Sequence, residues 1–176
     1  MNIIGEKVML RAIEDKDADV LRDMINDPEM EFLLGGWSFP VSVRQQLAWQ
    51  SGLGGDTRTL RCVIETIEGK DAIGTVVLSD IDAKNGNAEI HIKIRDGASR
   101  GQGFGSDAIR ALIRYAFDEL RLECVFARVS EHNEVSLRLF TKCGFVREGI
   151  LRRRLFKRGR YVDVVVLSIL RSLLSK

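Results

Sequence analysis

Arg100-Gly101-Gln102-Gly103-Phe104-Gly105-Ser106 stands between a run of alternating isoleucines and a stretch with helical apolar spacing, and its reading decides the fold. Upstream, Ile90, Ile92 and Ile94 alternate with Glu89, His91 and Lys93, the period of a strand with one apolar and one polar face. Downstream, Ile109, Leu112, Ile113, Ala116 and Leu120 recur as on an amphipathic helix. A glycine-rich loop between strand and helix can turn its N–H groups toward an anion. The helix N-terminus adds orphan donors and partial positive charge, which suits a pyrophosphate. Gly103-x-Gly105-x-x-Ala108 also matches a dinucleotide fingerprint. Position argues against that reading, because the loop follows an antiparallel meander and too little chain remains for two mononucleotide-binding halves.

The meander is read from Leu60 to Thr66, Ala72 to Ser79 and Ala88 to Ile94, with turn signals at Glu68-Gly69-Lys70-Asp71 and Asn85-Gly86. Before it, Val8 to Ala12 reads as a strand and Val20, Leu21, Met24 and Ile25 as a helix ending before Pro28. Met30 to Pro40 is too apolar for a linker and too glycine-rich for a regular helix, so a lid or substrate wall is expected; Val41 to Trp49 looks helical. After the loop helix come a strand from Cys124 to Val129 and a helix through Val135, Leu139, Phe140 and Cys143, with Gly144 at its C′ position. Strands around Phe145 to Arg153 and Tyr161 to Ile169 flank a basic turn, Arg154 to Arg160.

At 176 residues and 45% hydrophobic content, one domain over residues 1–176 is expected. No apolar stretch approaches the ~20 residues of a spanning helix, and no secretory signal is visible, so a cytoplasmic protein is expected. Cys62, Cys124 and Cys143 lack a CxxC spacing, and His91 and His132 lack a zinc-like one, so reduced thiols and no metal are expected. Residues 1–99 hold 11 Lys and Arg against 17 Asp and Glu, whereas residues 100–176 hold 16 against 8. An acidic half facing a cationic acceptor and a basic half facing a polyphosphate would account for this; sequence halves need not be spatial halves.

Arg100, Gly103 and Gly105 fill the phosphate-loop pattern Arg/Gln-x-x-Gly-x-Gly/Ala, and Asn133-x-x-Ser136-x-x-Leu139-Phe140-x-Lys142-x-Gly144-Phe145 follows in order, then Glu148-Gly149 and Gly159-Arg160-Tyr161-x-Asp163. In these motifs the chain resembles the GNAT superfamily of acetyltransferases, and its opening and ending resemble the branch of ribosomal-protein-alanine and spermidine N-acetyltransferases. The resemblance implies an α/β (α+β) fold with a central mixed, mostly antiparallel sheet, helices on both faces and a splayed acetyl-CoA cleft. It implies acetyl transfer from acetyl-CoA, in a ternary complex, to a primary amine of a polyamine-like molecule or a protein N-terminus. The phosphate loop would be Arg100, Gly101, Gln102, Gly103, Phe104, Gly105 and Ser106. Pantetheine would pair with backbone near Ile92, Lys93 and Ile94 and meet Asn133, Ser136 and Phe140. A homodimer is the expected assembly, with no membrane or nucleic-acid partner.

A primary alkylamine, with a pKa near ~10, must lose a proton before attack. Glu89 on the polar face is the candidate base, directly or through water, with His91 as the alternative; a strand glutamate that merely pairs with a neighbouring cation is the competing reading. A main-chain N–H near Ile92 can serve the oxyanion. Many family members place a tyrosine where this chain has Phe140, to protonate the leaving thiolate. Here that proton must come from water, Ser136 or Cys143, or the chain is a non-catalytic acyl-CoA-binding module. The basic run Arg152 to Arg160 leaves open a ribosome- or RNA-associated protein, besides a plain solvated hairpin or a contact with CoA phosphate.

Overall fold

The computed structural model describes residues 1–35, 39–95 and 101–173. Arg100, the head of the loop motif, lies outside the described residues. The strands are β1 Ile3–Ile4, β2 Val8–Arg11, β3 Leu60–Thr66, β4 Ala72–Asp82, β5 Asn87–Ile94, β6 Cys124–Ser130, β7 Val146–Lys157 and β8 Arg160–Leu170. The helices are α1 Ala18–Asn26, α2 Pro28–Leu33, α3 Val43–Ser51, α4 Phe104–Asp118 and α5 Glu134–Lys142. The strands form one sheet in the order β1-β2-β3-β4-β5-β6-β8-β7, antiparallel except for the pair β5 and β6. This is the mixed, mostly antiparallel sheet that the sequence implied.

Alternation sorts the two faces. Cys62, Ile64, Val76, Leu78, Ile90 and Ile92 project to one side and bury against Ile109, Leu112 and Ile113 of α4. From the same strands, Arg61, Thr75, Val77 and Lys93 project to the other side, under α1 and α3.

Two polar devices hold the amino-terminal strands in place. The Asp107 carboxylate, in the first turn of α4, accepts hydrogen bonds from the backbone N–H groups of Glu6, Lys7 and Val8 at 3.0, 2.8 and 3.0 Å. A Cβ on Gly5 would stand 2.4 Å from Asp107 Oδ2, which is why a glycine lies there. On the opposite face the buried Arg11 guanidinium bonds both oxygens of Asp17 at 2.8 Å and Glu65 at 2.5 Å.

The Met30 to Pro40 reading needs correcting at its start, where α2 forms. Asp27 Oδ1 accepts from the N–H groups of Glu29 and Met30, and Pro28 takes the first turn, where its missing donor costs nothing. The basic turn also contracts. Arg154 to Lys157 extend β7, leaving Arg158 and Gly159 to make the turn with φ of 44° and 82°. Within the run, Lys157 is buried on the Glu31 carbonyl and carboxylate, and Arg158 lies 3.9 Å over the Phe32 ring. Part of the basic cluster is therefore spent on α2. Strand β1 was not anticipated, being only two residues long.

Burial pushes the Asp17 carboxyl pKa up, but the Arg11 hydrogen bonds, the Glu14 backbone N–H and the Arg11 charge push it further down, so it ends below its ordinary value. A carboxylate depressed by folding stabilises the fold above its unfolded pKa of about 3.9, and that stability is lost as pH falls through the folded value. Asp17→Asn is expected to cost about 3–5 kcal/mol at neutral pH in urea melts, since it leaves Arg11 buried with one partner fewer. The gap to the parent should close as pH falls below the ordinary carboxylate value of about 3.9 and the parent loses the same charge; a pH-independent gap would contradict this account.

Candidate active site

Strands β5 and β6 pair in parallel at Asn87↔Cys124, Ala88↔Val125 and Glu89↔Phe126, and the pairing then stops although the strands continue to Ile94 and Ser130. Two adjoining cavities open at this fork. One, of about 430 Å³, is lined by Ile94, Gly101 and the residues from Gly103 to Ser106. The other, of about 520 Å³, is lined by Glu89, His91 and Phe140, and Ile92, Lys93, Asn133 and Ser136 border both. Except for Arg100, outside the described residues, and Gln102, an exposed turn residue, the candidate site residues thus converge from three distant stretches of chain.

The geometry of the loop suits an anion. Gly101 and Gly103 have φ of 79° and 87°, which other residues rarely adopt, and Gly103 is the N-cap of α4 with no side chain bonding the helix's first N–H groups. The Ser106 hydroxyl donates to the Gly103 carbonyl at 2.9 Å. Cations gather around it. Lys7 Nζ donates to the Gln102 carbonyl at 2.9 Å, and Arg138 and Lys142 of α5 line the same cavity. Lys7 escaped the sequence reading because 95 residues separate it from its partner. Gly105 has a different reason from the one its motif suggests. A Cβ there would stand 3.1 Å from Ile94 Cδ1 and 3.3 Å from Leu139 Cδ2, so its smallness serves the packing of α4 on β5 and α5.

At the fork, Glu89 is 2% exposed, and Arg128 of β6 engages both its oxygens, Nε reaching Oε1 at 2.9 Å. Arg128 was also missed, since a cation on one strand gives no sign of the carboxylate it meets across a sheet. His91 Nε2 lies 2.8 Å from Ser79 Oγ and 3.9 Å from Glu89 Oε2. Burial lowers the His91 pKa most; Glu89 raises it, and Arg128, Lys93 and Arg61 lower it again. The net direction is down, so the imidazole is neutral at pH near ~7 and able to accept a proton.

Asn133 is 4% exposed, and its carboxamide already has protein partners: Oδ1 accepts from the Ser136 N–H, capping α5, and Nδ2 donates to the Leu33 carbonyl, both at 3.1 Å. One N–H of the amide is left for a ligand. Phe140 is buried edge-on to Phe145 with centroids 5.0 Å apart. Cys143 turns its thiol to the Ser106 carbonyl at 3.8 Å, and burial raises its pKa, which suits a packing residue rather than a nucleophile or acid. The Ser136 hydroxyl has no hydrogen bond among the described residues. No cluster of metal-ligating side chains occurs among the described residues.

Residues 7–146 match the model of the acetyltransferase (GNAT) domain. The chain is 33% identical over 169 residues, 94% of each protein, to the uncharacterized N-acetyltransferase p20 of Bacillus licheniformis. It is 35% identical over 117 residues, 66% of each protein, to spermidine N(1)-acetyltransferase of Vibrio cholerae. The crystal structure of the spermidine N-acetyltransferase from Vibrio cholerae in complex with CoA and spermine matches with a TM-score of 0.86 at 29% identity, over 94% of this chain and 96% of that one. With an uncapped helix N-terminus, positive-φ glycines and a forked sheet in the corresponding fold, the chain belongs to the GNAT acetyltransferase family and is an acetyl-CoA-dependent N-acetyltransferase.

Proposed function

We propose that the pyrophosphate of acetyl-CoA lies on the Gly101 to Ser106 loop, that pantetheine runs along β5 past Ile92 to Ile94 and Asn133, and that the thioester lies at the fork. The observation that carries this is the convergence of the loop cavity and the Glu89 cavity on shared residues where the β5–β6 pairing ends. The acceptor nitrogen attacks the thioester carbonyl, its proton passes to Glu89 directly or through water, and the C–S bond breaks. Arg128 engages both oxygens of Glu89, so transfer into the carboxylate requires one of them to loosen from the guanidinium. Neutral His91 is the second acceptor for that proton.

The acceptor is a primary amine, and the named activity of the spermidine N-acetyltransferase relative supports that class. The reading as a cytoplasmic protein is supported by three free cysteines and by the lack, among the described residues, of a helix long and apolar enough to cross a membrane. Assembly into a homodimer or a larger oligomer is supported by the dodecameric spermidine N-acetyltransferase among the structural neighbours. The basic residues that meet α2 favour a structural role for the hairpin over an RNA surface.

Three measurements test the site. Arg138→Glu with Lys142→Glu places two carboxylates beside the loop and should weaken CoA binding by about tenfold or more in calorimetry at low salt, with unchanged thermal unfolding; full affinity would remove the polyphosphate from this cavity. Glu89→Gln should lower turnover by ~10² to 10⁴ while acetyl-CoA affinity holds; parental turnover from about pH 6 to 9 would pass the role to His91 or water.

Phe140→Tyr adds a phenol at the edge of the same cavity. If thiolate departure limits the rate, it should raise turnover several-fold, below the ~10² a native general acid supplies, because the grafted group lacks supporting hydrogen bonds. The gain should fade at high pH as the phenol ionises. A variant that binds acetyl-CoA normally and shows no gain would place the slow step elsewhere.

A further inference from the structure

The cavity at the fork continues beyond His91. On the same face of the sheet it adjoins a third cavity, of about 450 Å³, beneath α1 and α3, and Lys93 lines both. Strand register fixes what faces this space. Arg61 pairs with Val77 and Val77 with His91, so Arg61 and His91 share one cross-strand row, and Lys93, paired with Thr75, lies in the next. The helical wall is apolar, from Leu21, Met24, Ile25 and Trp49. Two polar side chains of α3, Gln45 and Gln46, break it. Gln46 is 4% exposed, lines the cavity, and has its amide Nε2 without a hydrogen-bond partner among the described residues. A buried donor left unpaired is costly, and an oxygen acceptor on a ligand relieves that cost.

The charge of this space points the same way. Among the described residues that line the two cavities, Arg61, Lys93, Arg128 and Arg154 are cationic, and Glu89 is the one carboxylate. Arg128 already occupies Glu89, and Arg61, Lys93 and Arg154 have no carboxylate partner among the described residues. Burial lowers the Lys93 pKa, and the Arg61 charge lowers it further. Such a cleft repels a polycation and attracts a carboxylate.

Resting on the N-acetyltransferase reading above, we propose that the acceptor is an apolar α-amino acid or short peptide whose free carboxylate is held by Arg61, Lys93 and Gln46 while its α-amine faces Glu89 and His91. Residues two apart along a strand stand about 7 Å apart on one face, a span that an amino acid or dipeptide bridges. An α-amine also suits a base already committed to an ion pair. Its pKa of about 7.7–8.0 on a peptide leaves a neutral fraction at pH near ~7 that an alkylamine of about 10.4 does not. In the reaction the α-nitrogen bonds to the acetyl carbon and the C–S bond breaks. One N–H proton goes to Glu89 or water, and the sulfur takes a proton to leave as CoA thiol.

Thiol release from acetyl-CoA tests this with leucine and leucyl-leucine, their carboxamides, and spermidine and spermine. The carboxylate acceptors should exceed their amides and the polyamines in kcat/KM by about tenfold or more, the worth of one charged hydrogen bond. Arg61→Gln should raise KM for the carboxylate acceptors by a similar factor and for leucinamide by far less, with acetyl-CoA affinity unchanged. Gln46→Leu should weaken the carboxylate acceptors in the same selective way. Preference for leucine over leucyl-leucine marks a free amino acid as the acceptor, and the reverse marks a peptide. Faster turnover of spermidine or spermine, equal turnover of acids and amides, or binding of acetyl-CoA with no turnover of any carboxylate acceptor would each overturn the proposal. Failure of acetyl-CoA to bind in calorimetry would instead overturn the acetyltransferase site on which it rests.

Discussion

The β5–β6 ladder ends at Glu89↔Phe126, and the site depends on that ending. Two parallel strands that stayed paired would close the sheet and leave no opening there. Because they diverge, backbone and side chains of β5 face an opening flanked by α4 and α5. At the apex, Glu89 and Arg128 form an ion pair across the two strands, at the last point where they are close enough. The fork and its charge are one feature. A buried carboxylate needs a cation, and the divergence leaves room for a guanidinium with one half in solvent.

Around that fork the walls are made by contacts between residues far apart in the chain. The amide of Asn133 ties α5 to the end of α2 through the Leu33 carbonyl, and His132 Nε2 lies 2.9 Å from the Phe32 carbonyl with its ring stacked on Phe32 at 4.2 Å. Arg158 covers the Phe32 ring from the β7–β8 hairpin, and Lys157 holds Glu31. Helix α2 is only six residues long and could not persist alone. Its position is a sum of caps, stacking and ion pairs, and Met30, Leu33 and Leu34 then line the cavity at the glycine loop.

The electrostatics separate two tasks. The cavity at the loop is bordered by the N-terminus of α4 and by Arg138 and Lys142, while the adjoining space under α1 and α3 carries Arg61 and Lys93. Opposite net charges in the two sequence halves do not map onto these sides, because the charged residues of the first half that line the cleft are mostly cations. Its carboxylates serve elsewhere, as Asp17 and Glu65 do around Arg11.

By itself the sequence determined the order of the strands and helices other than β1 and α2, the glycine loop before α4 and the polar face of β5. These depend on local periodicity, on glycines that adopt positive φ at little cost, and on turn chemistry, all readable over a few residues. Family motifs carried the forked cleft, and the structure places Glu89, His91, Asn133, Ser136 and Phe140 at its edge. Tertiary structure alone decided the partners of those residues. That Glu89 meets Arg128, that Lys7 reaches the loop, that Gly105 is small for packing, and that Gln46 faces Lys93 across a cavity follow from strand register and helix docking. No local pattern encodes them, because each joins groups brought within a few ångströms by contacts made across the whole sheet.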